Sequence, residues 1–167
     1  DNYDVGYQGG RYLVEKNLNK IALFIGEKKF LSTQNRVKGF EAAMKEQKTD
    51  YHIFTGLDTV KKAYNKAKEV LDTHEVNAFF VSGDERALGV YRAIYEKGLA
   101  IPKDIAVLGI DNITLGEYYY PPISTVEQDF EKLAKCCIDY VIDRISNGED
   151  ENKSFKFPCK VIEREST

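Results

Sequence analysis

Four side chains stand where strand ends should deliver them to a common edge: Arg36, Asp58, Asp84 and Asp111. Each follows an apolar run of strand character, and ligands of open α/β sheets bind beyond the carboxyl ends of the strands. The guanidinium of Arg36 offers five donors in a planar fork, suited to paired hydroxyls or to a carboxylate. Asp111 can only accept, and its two oxygens suit two neighbouring hydroxyls. Each residue also has a plainer reading. Arg36 reads as a surface arginine at a solvated helix start. Asp111-Asn112 is strong turn chemistry, with Asn112 structural. Asp84 and Asp58 each precede a helical pattern, so N-capping is their simplest role. Tyr118, Tyr119 and Tyr120, ahead of Pro121-Pro122, present aromatic faces that suit a sugar ring or a protein interface.

Signatures of catalysis are missing from the sequence. There is no HExxH and no GxxxxGK[ST], and Gly6, Gly9 and Gly10 do not make a GxGxxG after a strand. No two carboxylates have a spacing that marks an acid/base pair, so neither enzymatic activity nor a cofactor is expected. Cys136, Cys137 and Cys159 are an odd set with two adjacent, unlike a disulfide framework or a zinc site, and His52 and His74 stand alone. The thiols are expected to be small buried groups in a reducing cytosol, and no metal is expected. A net charge of −3 gives no electrostatic footprint for nucleic acid. No apolar run nears the roughly 20 residues of a membrane helix, and residues 1–10 lack the features of a signal peptide. A cytoplasmic protein without a membrane partner is the expectation.

The elements that must position these side chains are legible from periodicity. Near-continuous apolar runs begin at Ile21 (IALFIG), Tyr51 (YHIFTG), Ala78 (AFFVS) and Ile105 (IAVLGI), as in strands covered on both faces. Between them, Val60, Ala63, Tyr64, Ala67, Val70 and Leu71 form one helical stripe. Residues 84–97 repeat the pattern, with Gly98 as a C-terminal stop, and a third helix covers about 33–46. Residues 5–16 also read as a helix despite Gly9-Gly10. Another runs over about 127–147, closed by Gly148 and followed by the acidic loop EDENKS. Residues 155–163 are strand-like, with Pro158 arguing for an edge or bulge. Regular strand–helix alternation implies right-handed crossovers and a parallel sheet with helices on both faces, an α/β fold.

The words IPKDIAVLGIDN and PPISTVEQ, with NRVKGF at 35–40, SGDERALG at 82–89 and VIEREST at 161–167, closely resemble the LacI/GalR family of bacterial transcriptional regulators. The resemblance covers nearly the whole chain. It implies a periplasmic-binding-protein-like (type I) core of two lobes behind a DNA-binding head that this chain lacks. The division it implies gives residues 1–112 to the C-terminal lobe. Residues 113–150 become the crossover and a helix of an otherwise incomplete first lobe, with Ser124-Thr125 at the hinge, and residues 151–167 the return strand and tail. That helix would lack its own sheet and expose an apolar stripe, to be covered by a neighbouring chain or by folding back on its own lobe.

The resemblance also implies a small-molecule effector (a sugar, sugar phosphate or nucleobase) clamped between the lobes, with Arg36 and Asp111 as contacts and Asp84 and Asp58 as further candidates. Where Gly83 stands, relatives often present an asparagine that reaches the ligand, and where Asp58 stands, an aromatic that stacks on it. Leu88, Tyr118, Tyr119 and Tyr120 fall at the family's homodimer interface, and operator DNA is met only through the head. A solute-binding protein of a sugar ABC transporter is the alternative reading, and an α/β enzyme a third.

Overall fold

The computed structural model describes residues 1–147 and 153–167; the expected stop at Gly148 and residues 149–152 of the acidic loop lie outside them. The elements run α1 (Asn2–Glu15), β1 (Lys20–Phe24), α2 (Leu31–Gln47), β2 (Asp50–Phe54), α3 (Val60–Thr73), β3 (Ala78–Val81), α4 (Asp84–Glu96) and β4 (Ala106–Ile110). A 3-10 turn (Thr114–Tyr118), β5 (Ser124–Glu127), α5 (Phe130–Asn147) and β6 (Lys160–Ile162) complete the chain. One six-stranded sheet has the order β2-β1-β3-β4-β5-β6, parallel throughout except for β6, which runs antiparallel to β5.

Because the strands are buried on both sides, alternate residues of each strand enter two separate cores. Ile21, Leu23, Phe80 and Leu108 join Phe40 and Met44 under α1 and α2. Ala22, Phe24, Phe79 and Val107 join Ala63, Val70, Val90 and Ile94 under α3 and α4. The apolar stripe on α3 is therefore the face that seats on the sheet.

The glycines of α1, a weakness by helix propensity, permit close packing. A Cβ on Gly6 would fall 1.9 Å from the backbone oxygen of Arg36, and one on Gly39 would fall 2.0 Å from that of Tyr3. The two helix backbones meet there. Gly9 likewise makes room for the ring of Phe80.

The chain departs from expectation at its C-terminal side. The sheet continues past the boundary expected after Asn112, because β5 pairs with β4 from Leu108↔Ser124 to Ile110↔Val126. Ser124 and Thr125 are thus fully buried strand residues in this sheet, and α5 starts at Phe130 where a helix from 127 was expected. Of the extended run 155–163, only Lys160–Ile162 forms a strand, and Pro158 precedes it. The apolar stripe of α5 is exposed as anticipated, with Ile138, Ile142 and Ile145 largely in the open. The helix does not fold back on the sheet. Its aromatic contacts are with the returning segment, Tyr140 against Phe155 and Lys132 over Phe157. Among the described residues no helix is long and apolar enough to cross a membrane.

Candidate functional site

Strand order reverses between β1 and β3, and the crevice beyond their carboxyl ends is where such sheets hold ligands. Arg36, on the second turn of α2, reaches into this crevice. Its Nε donates to Asn2 Oδ1 at 2.8 Å and its Nη1 to Ser82 Oγ at 2.8 Å. Both anchors are neutral, so the guanidinium keeps its charge uncompensated by any ion pair among the described residues. Burial pulls its pKa below the ordinary arginine value, the charge of Asp111 opposes that shift, and Arg86 reinforces it. Arg36 therefore lies within electrostatic reach of both residues.

Asp111 follows β4 with φ 104°, and Asn112 with φ 52°. Left-handed backbone at two successive non-glycine residues costs on the order of 1–3 kcal/mol each and persists only where surrounding bonds enforce it. They do so here. Asp111 N donates to Val126 O at 3.0 Å, and Asn112 N to Thr125 Oγ1 at 3.2 Å. The Asn112 side chain donates to Glu127 Oε1 at 2.7 Å and accepts from Arg164 Nη2 at 2.8 Å. Asn112 is structural, as its turn chemistry suggested. It holds Asp111 at the rim, where Gln128 Nε2 donates to Asp111 Oδ1 at 2.9 Å.

Asp84 departs from its expected N-cap role. The N-cap of α4 is Gly83, with φ 123°, and Asp84 is the first helical residue, 0% exposed. Its carboxylate accepts from Thr125 Oγ1 at 2.8 Å and from Ile113 N at 3.0 Å. Gly109 makes the space, since a Cβ there would fall 1.9 Å from Asp84 Oδ1. Burial pushes the carboxyl up to about 6 against those two hydrogen bonds. Asp84 thus ties β5 and the turn after β4 to α4, one layer behind the rim.

Asp58 also moves from its expected N-cap role. Thr59 is the cap of α3, its hydroxyl accepting from Lys62 N at 3.2 Å. Asp58 is solvent-exposed and paired with Lys62 Nζ at 2.6 Å.

Among the members of the crevice not singled out from the sequence are Asn2, Ser82 and Gln128. Ser82 and Gln128 lie inside the quoted words SGDERALG and PPISTVEQ, so a signal was there. Asn2 arrives only because Gly6 and Gly39 seat α1 on α2.

On the α3–α4 side lies an apolar groove lined by Tyr64, Leu88, Tyr95, Leu115, Tyr118 and Tyr120. Tyr118 and Tyr120 are 78% and 85% exposed, but Tyr119 is only 7% exposed. Its hydroxyl donates to the backbone oxygen of Asp84 at 3.0 Å, and its ring packs edge-on against Tyr91. Tyr119 therefore anchors the loop and offers little to an interface. The cysteines are free and not buried as expected: Cys137 is exposed, and Cys136 and Cys159 are half-buried. Burial and a contact with Asp4 push the Cys159 thiol up to about 12, so it is held unreactive. Among the described residues no cluster of three or more metal-ligating side chains forms.

A family model for the periplasmic binding protein-like domain matches residues 11–167. The HTH-type transcriptional repressor PurR of Vibrio atlanticus is 32% identical over 163 residues, covering 95% of this chain and 49% of the repressor. The chain thus spans about half the length of the curated relatives it matches. Among solved structures, a periplasmic binding protein/LacI transcriptional regulator from Alkaliphilus metalliredigens complexed with D-xylulofuranose is 31% identical, with a TM-score of 0.88 over 100% of this chain and 64% of that one. A LacI family transcriptional regulator from Enterococcus faecium with bound ribose is 27% identical, with a TM-score of 0.91 over 100% of this chain and 63% of that one. The chain belongs to the periplasmic binding protein-like domain family and is similar in fold and sequence to LacI-type transcriptional regulators.

Proposed function

We propose that this chain is the effector-sensing C-terminal region of a LacI-type transcriptional regulator, holding a small molecule at the Arg36–Asp111 rim. The carrying observation is the pairing of two differently enforced groups at one crevice. Arg36 is locked by Asn2 and Ser82, and Asp111 is held in left-handed backbone beside Gln128. A donor fork facing an acceptor pair suits a polyhydroxylated molecule. Related regulators hold ribose and D-xylulofuranose, which favours a sugar over a nucleobase. The relatives are repressors, which favours a regulator over a transporter's solute-binding protein or an enzyme.

In this reading the ligand is clamped between this lobe and a second one supplied by the rest of the intact protein. α5 belongs with that lobe, which covers its apolar stripe. A ligand that binds the closed arrangement better shifts the population toward it, and a coupling of about 1–3 kcal/mol is typical of such systems. Closure re-poses DNA-contacting segments outside this chain on operator DNA, and the protein acts in the cytoplasm. The tyrosine groove, with Leu88, Tyr118 and Tyr120, meets its counterpart in a homodimer. Asp84 serves as a positioning residue and Asp58 stays in solvent.

The test is operator binding by the intact protein with and without effector. Arg36→Ala and Asp111→Ala should each abolish the effector response while leaving basal operator binding and the unfolding midpoint near wild type. An undiminished response in both variants would refute the assignment.

A further inference from the structure

Arg86 is a second guanidinium in the same crevice that neither the proposed clamp nor the dimer uses. It spans the switch point. A Cβ on Gly83 would fall 2.8 Å from its Nε and 2.9 Å from its Nη2, and one on Gly26 would fall 3.8 Å from its Nη1. It thus covers the β3–α4 turn and reaches the end of β1. Arg36, bonded to Ser82 in that same turn, flanks it, and the two cations repel each other. Among the described residues the Arg86 side chain makes one long hydrogen bond, from Nη1 to Leu57 O at 3.4 Å, and forms no ion pair. Asp58, whose carboxylate feels the Arg86 charge, is already paired with Lys62.

Two half-buried guanidinium groups hydrogen-bonded only to neutral partners, with the Asp111 carboxylate acting on Arg36, form a pair that a further anion would complete. Guanidinium forks match phosphate and carboxylate oxygens in pairs, and these charge-assisted bonds are about twice as strong as neutral ones. Gly83 is what leaves the space. Any side chain there would meet Arg86 and strain the positive φ, so the residue that empties the turn also lets the cation occupy it.

We infer that the effector carries an oxyanion, seated between Arg86 and Arg36, with its hydroxyls directed to Asp111. The inference rests on the sensor reading above and narrows its ligand from sugars at large to phosphorylated or acidic sugars.

Calorimetric titration of the intact protein tests it with three matched sets: glucose and ribose, their monophosphates, and gluconate and ribonate. Inorganic phosphate serves as competitor. At least one anionic member should bind about tenfold tighter than its neutral parent, with inorganic phosphate competing. Arg86→Gln should remove that margin and Arg86→Lys restore part of it. A margin confined to the monophosphates identifies a phosphate seat, and one confined to the acids a carboxylate seat. A neutral sugar that binds as tightly as its anionic partners overturns the inference. So does a margin that survives Arg86→Gln. If such a neutral sugar loses its binding in Asp111→Ala, the sensor reading stands while the oxyanion falls. No binding by any compound overturns both.

Discussion

The polar rim at the ends of β1, β3 and β4 and the apolar groove beside α4 are built on the same helix–strand units, yet their side chains are held in opposite ways. At the rim, Arg36, Asp111 and Asn112 are half-buried and cross-linked by Asn2, Ser82, Gln128, Thr125, Glu127 and Arg164. In the groove, Leu88, Leu115, Tyr118 and Tyr120 stand in solvent, with Tyr119 as the buried pin beneath them. Small-molecule recognition needs side chains fixed before the ligand arrives, because each one ordered on binding reduces affinity. A protein–protein surface gains from exposed aromatic area that burial removes from water. The difference in restraint matches what the two proposed roles require.

The largest expected effect comes from unseating the rim's scaffold. Gly6→Ala places a methyl group against the Arg36 backbone oxygen, where a helix backbone must move. A loss of about 3 kcal/mol by urea denaturation is expected, together with weakened effector binding. An equivalent loss of stability with effector affinity intact would show that α1 supports the fold but not the rim.

Asp84 lies behind both regions and gives a pH signature. Its folded pKa of about 6 exceeds its ordinary 3.8, so the folded state binds the proton more tightly than the unfolded one. This group favours folding most below pH 4, and that contribution is lost as pH rises through 6, amounting to about 3 kcal/mol at 1.36 kcal/mol per unit. Asp84→Asn removes the titration. The variant's stability relative to wild type should accordingly rise between pH 4 and pH 7 in parallel thermal melts. A constant difference would place the carboxylate in water.

Smaller effects separate the tyrosines. Tyr119→Phe removes the hydroxyl that donates to the backbone oxygen of Asp84 and should cost about 1 kcal/mol in the monomeric fold. Tyr118→Ala and Tyr120→Ala should change unfolding by less than about 0.5 kcal/mol yet weaken self-association in sedimentation. If Tyr118→Ala and Tyr120→Ala destabilise the chain itself and leave its association unchanged, the groove is part of the fold and not an interface.

The sheet and the two helical layers were legible because apolar periodicity is local. The IALFIG, AFFVS and IAVLGI runs need no partner to reveal themselves. What escaped was set by residues distant in sequence. Ser124 and Thr125 read as a polar crossover, but they become strand because Ser166, Thr167 and Asp84 satisfy their hydroxyls and backbone inside the sheet. Asp84 read as a cap because nothing near it announces Thr125, Ile113 or the missing side chain of Gly109. In sequence Gly83 shows only the ligand contact it lacks, whereas its consequence, room for Arg86, appears only in three dimensions. For Tyr118, Tyr119 and Tyr120, sequence gave three equivalent residues and the turn made the middle one different.

The most direct test is a crystal structure of the intact protein with whichever sugar or sugar derivative most raises its melting temperature. The ligand should lie between the lobes, with Arg36 and Asp111 each within hydrogen-bonding distance of it. Ligand seated in the tyrosine groove, or between lobes with Asp111 still bonded only to Gln128, would contradict the assignment of the rim as the sensor.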